Sequence, residues 1–503
     1  PSYAPQPQPM GGYGAPAGYA PANESYGAQG YGAQGYGAQA SSASGYDPGP
    51  GYSQDRGAPA YASRSGSAPA AFAGSATATQ SAAGYGTGAA PAPAYAPAPA
   101  AGRQGSGAST SSRYGGDPVL ARIQSEIAEL AQDTGPRADV QTAYRRRSGE
   151  AGLSQLDEIK GSAELSTGLA GGRVYAKAEA SVIDAGRPTG SGLARFGSNG
   201  IIEAAAIVAE QPSPLVNADS QHASGVAFSA GYSNDFAQVE VGTTPIGMGE
   251  TKLTYRAAAT PKIGRDVRAS AWVERKPVTD SVVSYAGTRD PVTGVRWGQV
   301  MRFGAGGGLS YDSNGNGVYG EGRYYRFTGT NVAKNSGFEA NAGGYLRAYQ
   351  GRTDSVTVGL NVNYQGYDKS QNYFTFGNGG YFSPQSFISV GFPVNYAIED
   401  ERFVGRASFT PGFQSYSQDR SVLYPTEPQL QGLLDGLKLE NDDVRSYYDG
   451  ISETGFALSA EGELYYKLNN STRIGGEASF NTFGSYDEFR GMLGVRQSFG
   501  STK

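Results

Sequence analysis

A single histidine, His222, and no cysteine serve a chain of 503 residues. Thiol nucleophiles, disulfides and the ordinary Cys/His zinc sites are excluded at once. His222 falls near the start of a strand-like segment, with no serine or carboxylate partner at a readable spacing, so no histidine-based acid–base centre is supported. The densest acidic stretch is Glu440-Asn441-Asp442-Asp443. Asp442 and Asp443 are neighbours in the chain, and neighbouring side chains do not flank one glycosidic bond from opposite sides. Asp312-Ser313-Asn314-Gly315-Asn316-Gly317 opens like a calcium loop, but Arg323 stands at its twelfth position, where a bidentate Glu belongs. A hairpin turn fits it better. The glycines at 304, 306, 307 and 308 lack the Lys-Ser/Thr of a phosphate loop and read as strand curvature or close packing. The chain is therefore read as a non-enzyme, with no catalytic residue, no cofactor and no metal expected.

The polar residues that remain informative recur at every second position. Tyr175, Trp272, Tyr319, Arg323, Tyr345, Arg347, Glu461, Glu463, Tyr465 and Glu477 share strand faces with further arginines such as Arg145, Arg256 and Arg406. Charges of both signs with aromatics among them suit a neutral, hydroxyl-rich polymer: sugar rings lie on aromatic faces and their hydroxyls exchange hydrogen bonds with charged groups. A path for a polyanion would carry a strong basic excess. The same charges read equally well as ion pairs that simply brace one another.

Stepping these side chains requires strands. Val356, Val358, Leu360, Val362 and Tyr364 alternate with Ser355, Thr357, Gly359, Asn361 and Asn363, and 267–274, 456–467 and 473–480 repeat the pattern. From about residue 138 to Phe499 the alternation predicts about sixteen such segments, most near the roughly 9–11 residues that span an outer membrane. Short turns are expected at Ser233-Asn234-Asp235, Gly264-Arg265, Ser313 to Gly317, Gly351 to Asp354, Glu399 to Glu401 and Asn469 to Ser471. Long loops are expected near 185–221, 277–297, 368–386 and 417–452. That asymmetry is the mark of a closed antiparallel transmembrane β-barrel, all-β, with short periplasmic turns and both termini in the periplasm. Phe480, Tyr486, Phe489 and Phe499 are placed in an aromatic girdle. A soluble β-sandwich also alternates, but it needs neither so many strands nor so much Gly and Ala.

Two segments precede the barrel of 137–503. Residues 1–116 are Ala, Gly, Pro, Ser, Tyr and Gln, with a repeat around Tyr26, Tyr31 and Tyr36 and almost no Leu, Ile or Val. Such a segment cannot offset its own chain entropy and reads as a disordered linker. Within 117–136 a short amphipathic helix is predicted: Asp117 as N-cap, Pro118 in the first turn, Leu120, Ile123, Ile127 and Leu130 on one face, Gly135 and Pro136 as the stop. The net charge of −5 suggests no nucleic-acid partner.

Four ordered motifs add a resemblance. Arg145 to Leu156 reads RRRSGEAGLSQL, Gly242 to Gly247 reads GTTPIG, Arg275 to Gly287 reads RKPVTDSVVSYAG with Trp297-Gly298 after it, and Gly379 to Gln385 reads GGYFSPQ. Together, over about 117–499, they resemble the C-terminal barrel of the bacterial cellulose synthase operon protein C family. The resemblance implies an outer-membrane pore of sixteen strands that carries cellulose, a β-1,4-glucan, from periplasm to exterior. It implies as partners the cellulose chain, the lipid bilayer and lipopolysaccharide. It also implies the inner-membrane cellulose synthase complex, reached through a periplasmic tetratricopeptide region that this sequence lacks, so that the chain is expected to be a C-terminal fragment. The family reading makes the loop with Tyr381, Phe382 and Gln385 an inward-folded gate; as local residues, Tyr381 and Phe382 bury and the glycines and Pro384 set turns. The alternatives are a porin or exporter for another exopolysaccharide, or a barrel-borne hydrolase or adhesin acting through its outer loops.

Overall fold

The computed structural model describes residues 135–499 apart from 235, 401 and 470. The expected linker over 1–116 and the helix over 117–133 lie outside the described residues. Sixteen antiparallel strands form one ring. The first eight are β1 (Arg137–Arg147), β2 (Leu156–Leu169), β3 (Gly172–Gly186), β4 (Gln221–Ser233), β5 (Ala237–Thr243), β6 (Leu253–Ala259), β7 (Val267–Pro277) and β8 (Arg296–Ser313). The next three are β9 (Asn316–Thr330), β10 (Val332–Gln350) and β11 (Asp354–Tyr367). The twelfth, β12, consists of Ser386–Gly391 and Val394–Glu399, interrupted at Pro393, which has no N–H to give; both pieces pair with β11 and with the strand that follows. The ring ends with β13 (Phe403–Gln418), β14 (Ile451–Lys467), β15 (Thr472–Asn481) and β16 (Glu488–Ser498). It closes because β16 pairs with β1, Ser498 opposite Arg137 and Glu488 opposite Arg147. Closure leaves the sheet no edge.

The two faces divide as the alternation requires. Along β11, Leu360 is 46 % exposed while Thr357 is 2 % and Asn363 is fully buried. Leu493 and Leu165 reach 72 % and 67 %. A belt of exposed apolar side chains around a closed ring is a lipid-facing surface. Among the described residues no helix is long and apolar enough to cross a membrane, and the strands need none.

Glycines of the barrel wall pair with aromatic rings. On the inner face an aromatic ring lies flat over a glycine of the neighbouring strand. A Cβ on Gly231 would stand 2.4 Å from the Tyr175 ring, and one on Gly475 would stand 2.1 Å from that of Tyr465. Gly317 meets Tyr345, Gly343 meets Tyr319 and Gly306 meets Trp272 in the same way. The glycine cluster in β8 is thus close packing, as its sequence suggested.

The short turns fall at the end where the chain enters and leaves the barrel. At β8–β9 the two linking residues, Asn314 and Gly315, both have positive φ (53° and 79°), and Ser313 pairs with Asn316: a two-residue hairpin, not a calcium loop. At the opposite end the long loops carry four helices: α1 (Gly190–Ala194), α2 (Asn199–Val208), α3 (Val282–Tyr285) and α4 (Pro428–Glu440). All four fall where only loops were expected. The aromatic girdle needs one correction. Phe480, Phe489 and Phe499 are exposed, but Tyr486 turns inward to the loop end and takes the Arg147 guanidinium over its ring at 3.5 Å.

Candidate functional site

The inner wall is built by register. Pairing sets Arg145 opposite Glu158, Glu240 opposite Arg256, Arg256 opposite Glu274, Arg323 opposite Glu339 and Arg406 opposite Glu463. Opposite charges directly across a ladder attract, so these pairs neutralise one another, and the like-charged neighbours Arg145 and Arg490, and Glu463 and Glu477, share oppositely charged partners around them. Arg145 lies 2.8 Å from Glu158, Arg406 lies 2.6 Å from Glu463, and Arg323 Nε donates to Glu339 at 2.5 Å. Glu274 holds Arg256, Lys276 and Arg302 within 4.0 Å.

All ten residues proposed for the path face inward, but they are dispersed. Tyr175 Oη donates to Glu240 at 2.7 Å, Tyr345 Oη to Asp312 at 2.6 Å and Tyr465 Oη to Glu477 at 2.8 Å. Tyr319 Oη accepts from Asn361 at 2.7 Å. Arg347 packs its guanidinium on Gly315 at the hairpin, and Glu461 lies opposite Ser408 and Ser479. Trp272 packs against Tyr325, ring centres 5.9 Å apart. A cavity of about 260 Å³ occupies the lumen between β1–β7 and β15–β16, and of the ten only Glu477 lines it. Its walls are instead Arg145, Lys160, Lys177, Arg256, Glu274 and Tyr285, with others. Sequence reading placed several of these on the inner face but had no means of telling which strands curve round one void.

Above the cavity the outer loops fold over the mouth. The β3–β4 and β11–β12 loops arise on opposite sides of the ring, yet Gly197 N donates to Phe374 O at 2.9 Å and Phe376 N to Gly197 O at 3.1 Å. Thr375 Oγ1 donates to Leu423 O at 2.6 Å, joining the β13–β14 loop. Asp290 of the β7–β8 loop accepts from Ser198 N at 2.7 Å. Tyr373 and Tyr448 stack with ring centres 3.7 Å apart, and burial pushes the Tyr373 hydroxyl up to about 12. Phe196, Trp297, Phe374, Phe376, Leu423, Tyr424 and Leu434 form one core with Trp272, Tyr325 and Phe327 of the wall.

The loop with Tyr381, Phe382 and Gln385 folds inward. Tyr381 is 2 % exposed and stacks on Phe327 at 5.2 Å; its hydroxyl accepts from Asn335 at 3.2 Å. Phe382 packs edge-on to Phe387 and Tyr416, and its N–H donates to Asp280 at 3.1 Å. Gln385 stays at the rim, where its side-chain oxygen accepts from Asp419 N at 2.7 Å. Segment 278–287, read in sequence as part of a long loop and of the RKPVTDSVVSYAG motif but given no structural role, enters the lumen itself. Ser281 and Ser284 form a reciprocal cap for α3, and Val282, Tyr285 and Ala286 pack against Leu156, Ile183 and Met248 of other strands and loops. Beside that motif, the Ser-x-x-Ser spacing was the local signal for its helix. In α4, Pro428 in the first turn with Leu430, Leu434 and Leu437 was a second signal that went unread.

The remaining chemical candidates disperse. His222 is exposed with its ring beside the Ser220 carbonyl. Glu440 ends α4, where the Asn441 backbone N–H donates to Leu437 O at 3.1 Å; the Asn441 side chain accepts from Asp443 N and donates to Ile207 O of α2. Among the described residues no group of three or more His, Cys, Asp or Glu is placed to hold a metal ion.

The sequence family is decided by a direct match. Residues 154–500 match the family model described as cellulose synthase operon protein C C-terminus. The chain belongs to this family. It is 31 % identical over 381 residues to cellulose synthase 2 operon protein C of Komagataeibacter xylinus, covering 75 % of this chain and 28 % of that protein. With cellulose synthase operon protein C of Pseudomonas fluorescens (strain SBW25) it is 30 % identical over 361 residues, covering 71 % and 26 %. The chain thus spans little more than a quarter of the length of these relatives. Among solved structures, a bacterial polysaccharide outer membrane secretin aligns at a TM-score of 0.43 and 8 % identity, covering 72 % of this chain and 98 % of that one. An anion-selective porin from Comamonas acidovorans aligns at 0.28 and 10 %, covering 72 % and 98 %. A closed barrel with a lipid-facing belt, in a cellulose synthase operon protein C chain, is an outer-membrane protein.

Proposed function

We propose that this barrel is the outer-membrane pore through which cellulose leaves the periplasm, serving the inner-membrane cellulose synthase complex. The observation that supports it most is the inner wall: a ring wide enough for a lumen, lined by charges of both signs, many paired with the opposite sign in register, and by tyrosines with bonded hydroxyls. Sixteen strands enclose an aqueous channel unless something fills it. A self-neutralised wall holds no fixed excess charge against a neutral chain, yet presents donors and acceptors all along it. Tyr175, Trp272, Tyr319, Arg323, Tyr345, Arg347, Glu461, Glu463, Tyr465 and Glu477 are proposed as the path, with Tyr381, Phe382 and Gln385 in the closure at its outer end. The driving force comes from polymer synthesis at the inner membrane, the chain acting as a passive conduit without chemistry of its own. Association with the synthase complex, through a periplasmic region of the longer relatives, belongs to the same proposal.

Proteoliposomes loaded with fluorescent cellohexaose test it. They should release the sugar faster than protein-free liposomes. Equal release from the folded wild type and from a folded variant with a loosened cap, Tyr381→Ala, would exclude the role.

A further inference from the structure

Segment 278–287 leaves β7, yet two of its fixed points lie across the lumen on β1. Arg145 Nη2 donates to the Thr279 carbonyl at 2.8 Å, and Arg147 Nη1 donates to the Asp280 carbonyl at 2.6 Å. Both arginines are nearly buried on the inner face of β1, and both are braced from outside the segment. Glu158 holds Arg145, while Glu488 of β16 accepts from Arg147 at 3.0 and 3.1 Å. The segment also engages the second inward loop, because Asp280 accepts from Phe382 N and Ser281 Oγ donates to the Gly380 carbonyl at 2.6 Å. Arg145 has a further position: it lines the cavity beneath the segment, beside Lys160 and Lys177.

We propose that segment 278–287 is a plug clamped across the lumen by Arg145 and Arg147, and that a saccharide chain arriving in the cavity releases it by taking over the hydrogen bonds of Arg145. The second half rests on the export role proposed above. The clamp holds backbone carbonyls and is reinforced by the Thr279 hydroxyl, which accepts from Arg145 at 3.4 Å, and by the Asp280 carboxylate, 3.6 Å from Arg147; all of these contacts depend on the two guanidinium groups. A carbonyl released from a guanidinium inside a narrow lumen can be repaid by water or by a sugar hydroxyl, which is what makes the exchange feasible. Because Asp280 and Ser281 tie the plug to 380–382, the two inward loops leave together.

The test is single-channel conductance of the full chain in planar bilayers. Arg145→Ala/Arg147→Ala should raise open probability by roughly tenfold or more, as expected for losing charge-assisted bonds. Arg146→Ala, whose side chain lies between them but faces outward and is largely exposed, should leave it unchanged. The chain has no cysteine, so Arg145→Cys/Thr279→Cys can be bridged by a cleavable bifunctional thiol reagent. Bridging should shut the pore and cleavage should reopen it. Cellohexaose should raise open probability in the wild type and only block current in the clamp-free variant. Unchanged gating in the folded double variant, or a bridge without effect, overturns the clamp. A clamp-free pore that opens while cellohexaose leaves the wild type closed overturns release by saccharide. An open clamp-free pore that cellohexaose never blocks counts instead against the export role.

Discussion

The ring of Tyr381 lies 5.2 Å from the ring of Phe327 with their planes 18° apart, so a loop residue stacks directly on the inner wall of the barrel. The contact is buried, and it anchors the inward β11–β12 loop on β9. Truncating a buried aromatic to alanine costs about 3–5 kcal/mol, here confined to the loop cap. Tyr381→Ala should speed amide hydrogen exchange across 371–383, including the Tyr381 N–H bonded to Gln371 O at 3.1 Å. Exchange in the barrel strands should hold. Equal protection of that loop in both proteins would mean the stack does not anchor it.

Gly475→Ala should destabilise the barrel by about 1–3 kcal/mol, because its Cβ would enter the Tyr465 ring and the wall must shift to admit it. Replacing Tyr465 by Ala as well should make the pair of changes less costly than their sum. Urea unfolding from lipid vesicles measures all three variants. Strict additivity would show that the ring does not sit where the structure has it.

Glu203, half-buried on α2, has its carboxyl pushed above the ordinary carboxylate range by burial, against the partial relief of Arg445 and Arg195. The folded state therefore prefers the protonated acid. Its contribution is most favourable below the unfolded value, near pH 4.5, and is lost as pH rises through the higher folded value. Glu203→Gln should raise protection of 199–208 at neutral pH and flatten its dependence on pH between those values. A variant less protected than wild type at neutral pH would reverse the sign and show that the carboxylate is stabilising.

The barrel was legible because period two is a local property. Leu360 and Asn363 declare their faces from sequence alone, and Asn314-Gly315 declares a hairpin without tertiary help. The division into short turns at one end and long loops at the other was legible from the spacing of the strands. The cap was not legible, since its contacts join segments far apart in sequence: Gly197 to Phe374, Ser198 to Asp290, Arg147 to Asp280. Tyr486 illustrates the limit. An aromatic at a strand end suits a girdle equally with the lumen mouth, and the deciding partner, Arg147, lies at the other end of the chain. The glycine–tyrosine pairs were not legible: the β8 glycines read only as strand curvature or close packing, and register alone says which glycine lies under which ring.

Among the residues proposed for the path, Tyr345 sits near the short hairpin of β8 and β9, its hydroxyl on Asp312. Trp272 lies higher, under the cap. Each aromatic contact with a sugar ring is worth about 0.5–1.5 kcal/mol, roughly a two- to tenfold change in a blocking constant. Tyr345→Ala should weaken cellooligosaccharide block applied from the periplasmic side by about that factor. Trp272→Ala should weaken block only in channels whose cap is open. Unaltered constants in both variants would remove stacking from the account.

The central claim is that the lumen conducts a neutral glucan. Its most direct test is the single-channel current of the wild type and of Tyr381→Ala in planar bilayers, titrated with cellohexaose and separately with an oligouronate of equal length. The self-neutralised wall predicts that cellohexaose reduces the current in a dose-dependent way at concentrations where the oligouronate does not. Current in both proteins that cellohexaose leaves untouched, or that the oligouronate blocks more strongly, would contradict it.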